Sequence, residues 1–248
     1  MKFLCLPGGF CTAKAFQTQL GPFCDALKST GDASFFFTQG TNRVHLPQEY
    51  GGFFGPPPHY TFLEVDNPES IKFNLCDFPK RNTPEASMRS ALDMANQPTF
   101  SSIRAALERL IDILDSEGDI EGIIGYSEGA KVAASLLMEE EKRRKATGRI
   151  PRLKYAIFVC GWPPMDTVTG AHLLIDDIAD DEIINIPTCH VVGAADPFID
   201  ASMALYNMCD PDTADLFDHG GGHVVPRGKR AVDDLAVIVR GIIESITV

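Results

Sequence analysis

No stretch of this 248-residue chain comes near the roughly 18 to 20 consecutive apolar residues that cross a bilayer as a helix, which excludes a helical membrane span. Positive charge is also scarce. The 22 lysines and arginines face 34 aspartates and glutamates, and the formal net charge of −12 repels phosphate backbones, which argues against nucleic-acid partners. No group of cysteines and histidines has the spacing of a zinc site, no motif calls for a cofactor, and no segment repeats. The opening run MKFLCL is too short for the apolar region of a secretory leader and is broken at once by Pro7-Gly8-Gly9. The seven cysteines, an odd number, are scattered. Cys5, Cys160 and Cys189 sit in apolar runs, where a free thiol acts as a small buried hydrophobe. Without an export signal they are expected to be reduced, in a cytoplasmic protein.

What is present suits a large core. At 44% hydrophobic, residues 1–248 can form one α/β domain, and no second domain is required. Apolar runs predict strands at Lys2 to Leu6, Ser34 to Thr38, Ile120 to Ile124, Tyr155 to Cys160, Thr188 to Val192 and Thr213 to Phe217. Helices are predicted over Ala13 to Leu27, from Ser101 or Ser102 to Leu114, from behind Gly129 to about Ala146, over Ala201 to Met208 and from about Lys229 to Ile246. Strands alternating with helices imply a mostly parallel sheet covered on both faces. Residues 41 to 98 break the pattern. They are rich in Pro, Gly and Phe without a sustained period, and are expected to form an irregular, lid-like insertion.

Residues 120 to 129 read IEGIIGYSEG and hold Gly125-x-Ser127-x-Gly129 between a predicted strand and a predicted helix. That is the setting of a nucleophile elbow, a turn too tight for bulk on either side of the serine. A Gly/Ser turn between strand and helix would read the same, so the downstream residues matter. Asp196 follows the Thr188–Val192 strand in the loop GAADP, and His223 follows Gly220 to Gly222 behind the last strand. A serine hydroxyl needs a base to remove its proton, imidazole titrates near neutral pH, and an aspartate fixes the imidazole tautomer. The order Ser, Asp, His, each just past a strand end, is the α/β-hydrolase arrangement. Asp200 rivals Asp196 but is better placed to cap the helix after it. His219 rivals His223 but lies nearer the strand end, as a supporting donor would. His190 reads as a strand residue, and His45, His59 and His172 as loop residues.

Nearly end to end, the chain resembles the FSH family of small fungal and eukaryotic serine hydrolases, which includes stand-alone thioesterases that release products from polyketide synthases. The stretches that carry the resemblance are KFLCLPGGF, TQG at Thr38 to Gly40, GPPPHYTF, IEGIIGYSEGA, HVVGAADPFID and HGGGHVVP. Two positions depart from the family pattern. Pro7-Gly8 stands where His-Gly is usual, and Glu128 where Gln is common after the nucleophile. The resemblance implies an α/β-hydrolase fold, an acyl-Ser127 intermediate and an oxyanion hole made by the Glu128 backbone and the first loop. Gly9 is the expected second donor and Phe10 the alternative.

Phe53, Phe54, Tyr60, Phe62 and Trp162 are candidates for an apolar acyl pocket, although loop aromatics more often pin a loop to its core. The run EEEKRRK at Glu139 to Lys145, with Arg149, Arg152 and Lys154, is the basic patch of an acidic chain. Pairs Glu139/Arg143, Glu140/Arg144 and Glu141/Lys145 at a solvated helix end explain it, and a dock for an acidic acyl carrier domain of a polyketide synthase is the alternative. The expected function is hydrolysis of an acyl thioester or ester, foremost product release from a carrier. The alternatives are a carboxylesterase of free short or medium esters and a non-catalytic acyl-binding protein.

Overall fold

The computed structural model describes residues 1–46, 51–64, 78–94 and 100–247. Its elements in chain order are β1 (Lys2–Leu6), α1 (Ala13–Lys28), β2 (Ser34–Phe37), β3 (Asn42–Val44), α2 (Gly51–Phe54), β4 (His59–Thr61), α3 (Pro84–Leu92), α4 (Phe100–Glu117), β5 (Ile120–Tyr126), α5 (Glu128–Thr147), β6 (Tyr155–Val159), β7 (Thr188–Val192), α6 (Ile199–Asn207), β8 (Ala214–Asp218) and α7 (Lys229–Thr247).

Six strands pair in the order β2-β1-β5-β6-β7-β8, and every pairing is parallel. Strand alternation divides the core between the two faces. Leu4, Leu6, Ile123, Ala156 and Phe158 pack toward α4 and α5, while Phe3, Cys5, Ile124, Tyr155 and Ile157 pack toward α1 and α7. The strands run the same way, so the loops after β1, β5, β6, β7 and β8 all emerge at one edge of the sheet. That edge of an open α/β sheet is where ligands bind.

The segment read as irregular contains structure too short to leave a period. β3 and β4 form a two-stranded antiparallel pair, and α2 is a single turn. Only α3 carried a readable start signal, with Thr83 capping Ala86 N–H, Pro84 in the first turn and Glu85 beside it. Residues 47–50, 65–77 and 95–98 of the segment lie outside the described residues. No helix of the described residues is long and apolar enough to cross a membrane.

Candidate active site

Ser127 stands between β5 and α5 at φ 53° and ψ −115°, a left-handed conformation that costs a non-glycine residue energy. The turn is tight for a visible reason. A Cβ on Gly125 would lie 2.5 Å from the Ala130 Cα, and one on Gly129 would lie 2.3 Å from the Leu6 carbonyl oxygen. Both flanking glycines therefore let α5 start directly against the ends of β5 and β1. The Ser127 N–H is held by the Val159 carbonyl at 2.9 Å.

Asp196 and His223 come to this point on two loops that pack together. Gly193 lies against the Gly221 carbonyl oxygen, so closely that a Cβ there would sit 2.2 Å from it. The Ala195 N–H donates to that same oxygen at 3.0 Å. Asp218 Oδ1 accepts the N–H groups of Ala194 and Gly220 at 2.9 and 2.7 Å, tying the two loops further. The Tyr126 hydroxyl donates to the His223 carbonyl at 2.8 Å. His223 Nδ1 then lies 2.8 Å from Asp196 Oδ2, and Nε2 lies 2.9 Å from Ser127 Oγ. The Asp196 side chain is 1% exposed and that of His223 20%. Burial pushes the Asp196 carboxyl up, but the His223 hydrogen bond and charge, the Phe198 N–H and the Cys160 thiol outweigh it and hold the group below its ordinary value. This chain of contacts can pass a proton from a hydroxyl to an imidazole oriented by a carboxylate.

The rival residues are placed elsewhere. α6 begins at Ile199, so Asp200 is not its cap but lies in its first turn, facing Lys80 at 3.6 Å. The reason is that Asp196 itself opens the turn, accepting the Phe198 N–H through Oδ1 and the Ile199 N–H through its carbonyl. His219 Nδ1 accepts the Gly221 N–H at 3.2 Å.

The loop after β1 crosses the elbow. A Cβ on Gly8 would lie 3.3 Å from the Ser127 Cβ, and one on Gly9 3.6 Å from Glu128 Oε2. Phe10 adopts φ 64°, and its carbonyl accepts the Nδ1–H of His59 at 3.0 Å. The Glu128 carboxylate accepts the N–H groups of Phe62 and Leu63 at 3.0 and 3.3 Å, which pins the chain after β4 to the start of α5. Burial raises its pKa against these bonds. Neither role of His59 and Glu128 had a sequence signal beyond position, since each partner lies tens of residues away.

The aromatic candidates divide. Trp162, just past β6, packs 5.5 Å from Phe198, which in turn meets the His223 ring edge to face at 5.1 Å. Phe78 touches both rings at 5.8 and 5.5 Å, and Met88 and Leu174 complete this cluster. Phe54 packs instead on Phe10 at 5.0 Å. Tyr60 alternates to the face of β4 opposite His59. The Phe53 side chain lies outside the described residues. Phe198 and Phe78 had not been singled out, although Phe198 lies two residues past Asp196.

Cys160, Asp196 and His223 offer ligand atoms within 4.8 Å of one another, close enough to share a metal ion. Asp196 and His223 are already bonded to each other, and burial holds the Cys160 thiol protonated, so the donor set suits a triad better than a metal.

The basic run is neutralised from within. Arg143 pairs with Glu139, as its spacing implied, but Arg144 pairs with Glu141 and Lys145 with Asp181. Glu140 turns inward and accepts the N–H groups of Arg152 and Leu153. Arg149 and Arg152 both reach Asp115. At 20 residues α5 is about 30 Å long, and this patch lies at the end away from Ser127.

The family model described as serine hydrolase (FSH1) matches residues 1–235. The chain is 32% identical over 147 residues to "Esterase FPY3" of Fusarium mangiferae, a match that covers 57% of this chain and 65% of that protein. It is 25% identical over 241 residues to "Hydrolase phiM" of Talaromyces stipitatus, covering 94% of this chain and 84% of the other. A solved carboxylesterase from Mesorhizobium loti superposes with a TM-score of 0.56 over 97% of this chain and 88% of that one. At 17% identity this last likeness is one of fold.

Proposed function

The chain belongs to the serine hydrolase family FSH1, and from that premise we propose that it cleaves an acyl thioester or ester through an acyl-Ser127 intermediate, with His223 as general base and Asp196 as its orienting partner. The observation that carries this reading is the unbroken path from Asp196 Oδ2 through His223 to Ser127 Oγ, at 2.8 and 2.9 Å. Ser127 Oγ attacks the substrate carbonyl carbon as its proton passes to His223 Nε2. The oxygen that gains negative charge meets the Glu128 N–H at the start of α5 and the Gly9 N–H, with Phe10 the alternative to Gly9. His223 gives the proton to the departing thiol or alcohol as the C–S or C–O bond breaks. Water then attacks the acyl carbon, passes a proton to His223, and the acid leaves as Ser127 Oγ takes that proton back.

The substrate class in the leading form of this proposal is an acyl or polyketide chain carried as a thioester on a synthase carrier domain, a form supported by the motif resemblance. A second reading, hydrolysis of free short or medium esters, is favoured by one observation: the basic patch that could dock a carrier is paired internally and roughly 18–27 Å along α5 from Ser127. A cytosolic location belongs to the proposal, in keeping with the free thiols of Cys5, Cys11, Cys24, Cys160, Cys189 and Cys209.

The deciding experiment is kcat/KM over acyl thioesters and matched oxygen esters of graded length, each thioester both free and on a carrier domain. Carrier-bound thioesters outpacing all others support the leading form; equal or better turnover of free oxygen esters supports the second. A fluorophosphonate that labels any residue except Ser127 would sink both.

A further inference from the structure

Lys131 follows Ser127 by one turn of α5, and its N–H donates to the Ser127 carbonyl at 3.2 Å. Residues four apart share a side of a helix. The Lys131 ammonium lies 5.2 Å from the centre of the Trp162 ring. From Trp162 ring contacts lead to Phe198 and on to His223. A cation thus stands at the far end of an aromatic wall whose near end is the imidazole bonded to Ser127.

The polar groups of this corner are unmatched. Among the described residues the Lys131 ammonium has no hydrogen-bond acceptor, the Trp162 ring being its close partner. Burial lowers the Lys131 pKa, and Glu128 opposes this through charge alone, because the two Glu128 oxygens are taken up by the Phe62 and Leu63 amides. His172 adds a second case. Both of its ring nitrogens are buried without a hydrogen-bond partner, and burial first, then the Lys131 charge, keeps the ring neutral. Buried polar groups are nearly always bonded, and leaving them unpaired is costly. A lysine kept only to fill space would be better replaced by an apolar residue of similar length.

We infer that Lys131, His172 and Trp162 form an acyl-chain subsite that selects substrates carrying an anionic oxygen, such as a carboxylate, on the acyl part. The inference rests on the acyl-Ser127 reading and adds the substrate's chemistry to it. An ammonium supplies N–H donors and charge, a neutral imidazole supplies one more donor, and the indole face keeps water from one side. On a chain of net charge −12, such a local cation is what would draw an anionic acyl group inward.

The test pairs monoethyl adipate, which ends in a carboxylate, with ethyl hexanoate, which does not. Trp162 is the sole tryptophan, so its fluorescence reports on this corner. In Ser127→Ala, monoethyl adipate should give a saturable change at least about tenfold tighter than ethyl hexanoate, lost in Lys131→Met and kept in Lys131→Arg. In the active protein the ratio of kcat/KM for the charged over the neutral ester should fall about tenfold or more in Lys131→Met. It should fall further in Lys131→Glu and fall also in His172→Phe. Melting temperatures taken alongside separate this from misfolding, and Lys131→Arg serves where Lys131→Met does not fold. Equal binding of the two esters, or a ratio that ignores Lys131, overturns the subsite. Turnover that survives Ser127→Ala overturns the acyl-serine reading itself.

Discussion

Ser127, Asp196 and His223 reach one another from loops after the parallel strands β5, β7 and β8, across the end of β6, whereas the rings beside them come from scattered segments: Phe78 before α3, Trp162 after β6 and Phe198 before α6. The first group is set by backbone. Glycines that admit no Cβ, amide bonds between loops and the Tyr126 hydroxyl hold each side chain within hydrogen-bond distance. The second group is set by side-chain packing, which has several solutions of similar energy for one volume. The proposed function puts the chemistry on the rigid part and substrate choice on the part that can be repacked.

The sharpest way to break this comparison is at the backbone-set group. Ser127→Ala and His223→Ala should each lower kcat by roughly a million-fold, the scale for losing a nucleophile or its base. Asp196→Asn should lower it about 10⁴-fold through the wrong tautomer. His219→Ala and Asp200→Asn should stay within tenfold. Activity lost as heavily at Asp200 as at Asp196 would reverse the assignment.

Next in size is the turn itself. Gly129→Ala places a Cβ against the Leu6 and Pro7 carbonyl oxygens, with no flexible neighbour to yield. It should destabilise the fold by about 1–3 kcal/mol or more, read as a lowered melting temperature, and reduce activity with every substrate.

Pocket substitutions should behave otherwise. Phe198→Ala or Trp162→Ala should shift chain-length preference about tenfold on a graded ester panel. Phe54→Ala, which touches Phe10, should affect all chain lengths alike, and Tyr60→Ala least of all. A preference that moves only with Phe54 or Tyr60 would return the pocket to the insertion.

The smallest effect separates buried from exposed ionisable groups. His190 is buried and its pKa is lowered to about 3 by burial. Its native form cannot take the proton that the unfolded chain takes below its ordinary value, so this group lowers stability as pH falls from about 6.5 toward 3, at up to about 1.4 kcal/mol per unit. His172 and His219, also lowered by burial, act in the same direction. Glu128 and Glu140, raised by burial, oppose it at the acid end. The melting temperature should therefore drop between pH 7 and 5, and His190→Phe should flatten that slope. An unchanged slope would show that His190 titrates normally.

The strands, the long helices and the order Ser, Asp, His were legible because each depends on short-range rules: alternation, a 3.6-residue period, glycine at a turn, a helix start behind a serine. α3 was legible and missed, since Thr83, Pro84 and Glu85 are a start signal inside a segment that lacks a period elsewhere. The ion pairs of α5 were half legible. Arg143 pairs within its own helix, while Lys145 reaches Asp181, since Glu141 is already held by Arg144, and Glu140 turns inward to the Arg152 and Leu153 amides.

Sequence alone singled out the serine, aspartate and histidine that the fold brings within hydrogen-bond distance, because strand alternation and turn type are local properties of the backbone. Tertiary structure alone decided what surrounds them: His59 on the Phe10 carbonyl, Glu128 on the Phe62 and Leu63 amides, Phe198 against His223, Lys131 over Trp162. All of these contacts join residues tens of positions apart, and they depend on segments that meet only when the layers pack. Closing such loops costs entropy that no local pattern repays, so the contacts exist only in the assembled fold.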